Sequence, residues 1–202
     1  MEPEPEPAAP GAAVLLTGPR LAIREFHHTP ADVDALYAVF GDPEAARYLP
    51  FEPRDRETCA DQIELYVEQA EADPRTVYRL AVTVLADDEP AYAAPIGTAV
   101  LDLGDHRSAT LGYALRRDTW GRGYASEITE VLCEFAFRTL GLHRLAARVD
   151  PANAASVRVL TKAGFQLEGR IRHDLHLRGT WYDSLLFSLL APEWTGPARG
   201  RG

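Results

Sequence analysis

The chain predicts an α+β (mixed α/β) domain built on one sheet covered on both faces. Three observations carry this reading. The middle of the sequence is a run of short alternating segments whose connections are too brief for crossover helices, as in antiparallel hairpins. Beyond Gly123 the apolar period lengthens to three and four residues, the spacing of a helix. The last third then alternates strand and helix and closes on two further strands.

The elements follow in order. "VLLTGPRLAIREF" gives two short extended pieces around a Gly-Pro turn. "TPADVDALYAVF" opens with Thr29 as N-cap and Pro30 at the first helical position, then sets Val33, Leu36, Tyr37 and Phe40 on one face. "DPEAARYL" predicts a short helix and "RETCADQIELYVEQAEA" a longer one that ends before Pro74. "VYRLAVTVL" alternates as a strand, and a charged turn, "ADDEPAYAAP", leads into strands "IGTAVLDL" and "SATLGYAL". Ala125, Ile128, Leu132, Phe135 and Ala136 then mark an amphipathic helix running to about Leu140, with Gly141 as its stop. "RLAARV" is a strand, and "NAASVRVLTKAG" a helix capped by Asn153 and ended by Gly164. "FQLEGRIRHDLHL" alternates so regularly that Phe165, Leu167, Gly169, Ile171, His173, Leu175 and Leu177 are expected on one face. "WYDSLLFSLL" is the last strand.

Length and composition narrow the function classes. The chain has 202 residues, 46% of them hydrophobic and 25% charged, enough for one domain with a sizeable core. Residues 1–13 read as a disordered acidic Pro/Ala leader, 14–193 as the domain and 194–202 as a flexible tail. The leader lacks the basic and apolar regions of a secretory signal, and no apolar run is long enough to span a bilayer. A net charge of −9 argues against a nucleic-acid or anionic-membrane partner and is compatible with an amine substrate. Cys59 and Cys133 stand far apart in helical patterns, as buried thiols in a reducing cytoplasm would.

The stretch "RRDTWGRGYASE" concentrates chemistry. A strand, a loop with Gly121 and Gly123, and a helix start form an anion site, because first-turn amides lack intrahelical partners and the macrodipole adds positive charge. The glycines let a phosphate approach the backbone, and Arg122 places a cation beside them. The spacing is neither GxGxxG nor a GK[ST] loop. Glu127, in the first helical turn, favours the positive end of the dipole. His173 and His176 lie three apart on a strand, facing opposite sides, so no metal is expected there.

"WGRGYASE" (120–127), "NAAS" (153–156) and "KAGF" (162–165) together resemble the GCN5-related N-acetyltransferase (GNAT) superfamily, and within it the Rim-type (RimJ/RimL-like) protein N-terminal acetyltransferases. The similarity extends over about residues 14–193; Gly123 and Ala125 fit the last two places of the superfamily's cofactor motif, and Trp120 stands where Gln or Arg is usual. The resemblance implies the GNAT fold, a single central, mostly antiparallel, splayed sheet flanked by helices on both faces. It implies a cytoplasmic acyltransferase that moves acetyl from acetyl-CoA, without a metal, to a primary amine such as a peptide N-terminus or a small molecule.

By the same resemblance the backbone of Ala114, Leu115, Arg116 and Arg117 would pair with pantetheine and polarise the thioester. The loop and helix start formed by Trp120, Gly121, Arg122, Gly123, Tyr124, Ala125 and Ser126 would hold the pyrophosphate. Asn153 would reach the pantetheine arm, and Ser156 would lie near the sulfur as the acid. The base is open among Asp174, Glu168, nearby His173 and an ordered water path; Leu175 stands near the place where some relatives carry Glu. Tyr113 lies beside the expected cleft, though a core role is the simpler reading. Aminoacyl transfer from a charged tRNA and a silent CoA-binding module are the rival readings, and homodimers are common in the branch.

Overall fold

Short hairpin connections lay most strands beside their sequence neighbours. The computed structural model describes residues 13–85 and 94–196. All of the expected leader but Ala13, most of the charged turn after Leu85, and the tail beyond Gly196 lie outside the described residues. The strands are β1 (Leu15–Thr17), β2 (Leu21–Glu25), β3 (Val77–Val84), β4 (Gly97–Gly104), β5 (Ser108–Leu115), β6 (Arg144–Val149), β7 (Gln166–Leu177) and β8 (Thr180–Leu190). They form one sheet in the order β1-β2-β3-β4-β5-β6-β8-β7. Every neighbouring pair is antiparallel except β5 with β6.

Among the described residues there are four α-helices, three of which start at a side-chain cap. Thr29 Oγ1 accepts from the Asp32 amide at the head of α1 (Pro30–Phe40), and the Asp55 carboxylate from Thr58 at the head of α2 (Arg56–Glu71). α3 (Tyr124–Glu134) runs on through a π turn (Phe135–Thr139) to Gly141, whose φ of 61° ends it. α4 (Ala154–Lys162) is capped by Asn153 Oδ1, which accepts from the Ser156 amide. The "DPEAARYL" segment forms a single 3-10 turn, Ala45–Tyr48, instead of the expected helix, because the Asp42 carboxylate captures the amides of Glu44 and Ala45.

Two apolar clusters cover the two sheet faces. On one, α1 and α2 pack Val33, Leu36, Phe40 and Ile63 against Phe26, Ala81 and Ala114. On the other, α3 and α4 set Ile128, Leu132 and Leu160 against Ile23, Leu80, Leu101 and Leu145. Each fully buried Leu or Ile contributes about 1.5–3 kcal/mol relative to exposure. Cys59 and Cys133 are free thiols buried in these clusters, and burial pushes them up to about 11 and about 12. A bidentate Arg24–Asp32 pair, both bonds 2.8 Å, fixes the first turn of α1 to β2.

β7 departs from the regular alternation expected of it. Register shifts fall between Leu167 and Gly169 and between Ile171 and Leu175, and His173 takes a φ of 52°. The strand lies at the sheet edge and is mostly exposed, with Leu167 at 56%. The second irregularity also turns the two histidines together: His173 and His176 both lie against Trp181, at 5.8 and 4.7 Å between ring centroids.

Candidate active site

β5 and β6 pair only where Ser108–Thr110 meets Arg144–Ala146. β5 then continues with β4 as far as Leu115, and β6 with β8 as far as Val149, so the two strands separate. A cleft of about 940 Å³ opens there, lined by residues of both α2 and α4. Beyond the last paired residues, backbone groups that would have joined β5 to β6 face the gap.

The glycine loop closes one end. Gly121 and Gly123 have φ of 74° and 79°, a region where any side chain is strained. Gly123 is the N-cap of α3 and offers no side chain, and among the described residues no side chain caps the amides of the first turn. Glu127 does more than complement the dipole. It is 6% exposed, and its carboxylate accepts from the Arg20 amide at 2.6 Å, the Leu21 amide at 3.0 Å and Arg20 Nε at 2.8 Å. Arg20 in turn donates to the Arg122 carbonyl at 2.9 Å and lies 4.9 Å from the centre of the Tyr124 ring. The loop is thereby pinned to the β1–β2 turn.

Most of the residues expected at the cofactor are gathered here. Ala114, Leu115, Trp120, Gly121, Gly123, Tyr124, Ala125, Ser126, Asn153 and Ser156 all line the cleft. Arg116, Arg117 and Arg122 do not. The Arg116 amide donates to Ile96, its carbonyl accepts from Thr119, and its guanidinium holds Asp118, so its backbone shapes the turn and is not free for pantetheine. Arg117 faces Asp42 at 3.7 Å, and its carbonyl accepts from the Trp120 amide. Trp120 spends its indole N–H on the Leu115 carbonyl at 2.9 Å, which folds the ring over the end of β5. Asn153 Oδ1 serves the helix cap, leaving its amide group as a donor.

Tyr113, set aside from sequence as a core residue, has its hydroxyl in the site. It is half-buried against the apolar cluster, and its Oη donates to Ser156 Oγ at 3.3 Å. Burial pushes the phenol up, and the bond to Ser156 pulls it part of the way back. The hydroxyl therefore stays protonated through neutral pH.

The two carboxylates weighed as bases are not in the cleft lining. Glu168 sits at the closed end of the splay, accepting two 2.7 Å bonds from Arg144 and one of 2.7 Å from Ser188. Arg144 first and Ser188 second hold it down to about 2, too weak a base to take a proton from an ammonium at neutral pH. Asp174 faces Arg148 at 3.7 Å. His173, whose amide is bound by Asp183, stacks on Trp181 at the β7–β8 hairpin.

The wall opposite α4 is polar in a way the sequence reading missed. Arg54, Gln62, Tyr66, Gln69 and Arg79 line it. Arg79 Nε and Gln69 Oε1 are buried without a hydrogen-bond partner among the described residues. A signal was present: Arg79 interrupts the apolar run of "VYRLAV", the central strand of the five-stranded antiparallel arm β1–β5.

Comparison with known proteins places this geometry in context. Residues 20–166 match the acetyltransferase (GNAT) domain family. An uncharacterized N-acetyltransferase, p20, of Bacillus licheniformis is 32% identical over 180 residues, covering 88% of this chain and 96% of its own. A ribosomal protein uS5-alanine N-acetyltransferase of Escherichia coli is 32% identical over 92 residues, 46% of this chain and 47% of its own. Among solved structures, Mycobacterium smegmatis RimJ in complex with CoA-disulfide superposes with a TM-score of 0.72 at 23% identity, covering 92% of this chain and 90% of that one.

Proposed function

The chain belongs to the GNAT acetyltransferase family and is an acetyltransferase, and from that premise we propose that it transfers acetyl from acetyl-CoA to a primary amine, with a peptide or protein N-terminus as the acceptor. The observation that carries the reading is the β5–β6 separation ending at an uncapped α3, an opening with free backbone along its side and free amides at its end. These groups fit the chemistry of a coenzyme A thioester: amide donors for a diphosphate, strand backbone for the pantetheine amides. Gly123 suits such a cradle because a Cβ there would be strained and would stand 3.5 Å from Arg20.

Acetyl-CoA supplies the activated acyl group. The chain's own residues do the rest. Amides of Gly121 to Ser126 bind phosphate, Ala114 and Leu115 orient the thioester arm, and Trp120 covers it. Ser156, backed by Tyr113, holds a hydroxyl proton for the departing sulfur. With Glu168 and Asp174 outside the cleft, Asp102 exposed and Asp150 accepting from the Ala152 amide, water carries the proton away from the attacking amine. The buried, unpaired thiols suit a reducing cytoplasm, and among the described residues no helix is long and apolar enough to cross a membrane.

The test is mass spectrometry of products from acetyl-CoA and a panel of peptide and small-molecule amines, with thiol release followed in parallel. Acetylated amine formed in step with free thiol is the expected result. Tight coenzyme A binding with no acetylated product from any amine would overturn it.

A further inference from the structure

Resting on the transferase reading, we propose that the acceptor amine carries an anionic group, a carboxylate, which Arg79 and Arg54 bind on the α2 side of the cleft. Both guanidiniums line the cleft, and neither has an ion pair among the described residues. Most other arginines of the described chain are paired, as expected of a protein with net charge −9. Two cations left half-buried and unpaired in so acidic a protein mark a place built for an anion.

The two converge on one ring. Arg79 lies 5.8 Å from the centre of the Tyr66 ring, and both Arg79 and Arg54 draw the Tyr66 phenol down against the upward push of burial. Arg54 is held in place by the Phe51 ring 3.9 Å away and by Gln62 Oε1 at 2.5 Å. Arg79 is held by its strand, with a buried Nε that has no hydrogen-bond partner among the described residues. Asp102 also lines the cleft, but it is exposed and pairs with neither arginine. A carboxylate arriving between the guanidiniums gains charge-assisted bonds that water supplies poorly at a half-buried site.

The register sets the span. Arg79 pairs with Val100, and Val100 with Gly112, so the Arg79 backbone stands two strand spacings, roughly 10 Å, from the β5 backbone at Gly112, next to Tyr113. Gly112 leaves the path between them open, since a Cβ there would meet nothing within 4 Å. At roughly 3.5 Å per extended residue, a peptide acceptor carries the side chain of its second or third residue across that span. The acceptor class is therefore an amine with an acid several bonds away, foremost a peptide with Asp or Glu just behind its N-terminus; a polyamine carries the wrong charge.

The test is calorimetric titration of the full chain, saturated with coenzyme A, with Ala-Glu-Ala, Ala-Gln-Ala and Ala-Lys-Ala amides. 6-Aminohexanoate forms a further arm that separates a small acidic amine from a peptide. The Glu peptide is expected to bind at least tenfold more tightly than the Gln peptide, with the Lys peptide weakest. Arg79→Gln brings Glu and Gln peptides within about twofold, Arg79→Lys restores most of the preference, and retained coenzyme A affinity reports a folded protein. Equal binding of Glu and Gln peptides by the wild type overturns the proposal, as does an undiminished preference in Arg79→Gln. If that variant fails to fold, the wild-type ranking and Arg54→Gln decide. Thiol release on the same panel separates the two readings: preference without transfer sinks the transferase assignment, and transfer without preference sinks this one.

Discussion

The Tyr113 hydroxyl donates to Ser156 Oγ at 3.3 Å, joining β5 to α4 across the mouth of the cleft. A serine hydroxyl that gives a proton to a departing sulfur must regain one, and Tyr113 stands behind it with a phenol that burial keeps protonated. Ser156→Ala is expected to lower kcat by about 100-fold, the ordinary worth of a positioned acid. Tyr113→Phe loses one hydrogen bond to that acid and lowers kcat about tenfold. The double variant falls no further than Ser156→Ala, because the two hydroxyls act as a unit. Thiol-release kinetics with coenzyme A affinity measured separately check all three; additive losses would show that the hydroxyls work independently.

Glu127 holds the glycine loop from beneath. Its buried carboxylate takes three donors from Arg20 and Leu21, and Arg20 holds the Arg122 carbonyl. Glu127→Gln keeps the shape and removes the charge, so it is expected to destabilise the fold by about 2–4 kcal/mol and to weaken coenzyme A binding. Urea unfolding and calorimetry give the two numbers. Unchanged stability would mean that Arg20 finds water as readily as it finds Glu127.

Much of this was legible beforehand, and the gaps have physical causes. Strand and helix periods located the sheet, and caps such as Thr29 and Asn153 fixed helix starts because capping is local. The glycine loop was legible because positive φ leaves its mark on residue type. What failed was non-local. Nothing near Glu168 announces Arg144, nothing near Glu127 announces Arg20, and the irregularity at His173 breaks an alternation that reads as perfect. Tyr113 looks like an ordinary strand residue until α4 brings Ser156 to it, and the charge of Arg79 in an apolar strand marks an oddity without naming Tyr66 of α2 as its neighbour.

Two glycines separate backbone need from open space. Gly123 sits at φ 79°, so Gly123→Ala is expected to cost about 1–2 kcal/mol and to weaken coenzyme A binding by deforming the start of α3. Gly112 has an ordinary strand backbone, and an added Cβ meets nothing within 4 Å. Gly112→Ala should leave thermal stability equal or slightly raised, while its methyl group enters the acceptor path and raises KM for the amine. Thermal melts with steady-state kinetics distinguish the pair; a Gly112→Ala variant that melts early would show that the open space closes in solution.

Glu168 separates a structural carboxylate from a catalytic one. Its folded value, about 2, lies below the ordinary 4.5, so it contributes stability above pH 4.5 that is lost as pH falls from 4.5 through 2. The pair is about a third exposed on each side, 31% for Arg144 and 36% for Glu168, so screening reduces the contribution to about 1 kcal/mol. Glu168→Gln is therefore expected to be less stable than wild type by about that amount at pH 7. The difference shrinks on acidification and vanishes near pH 2, as chemical denaturation at stepped pH would trace. Acetyl transfer at pH 7 is expected to survive, since the residue lies at the closed end of the splay with its oxygens held by Arg144 and Ser188. A loss of tenfold or more in kcat, with the fold intact, would instead put Glu168 back in the proton path and leave the water route without support.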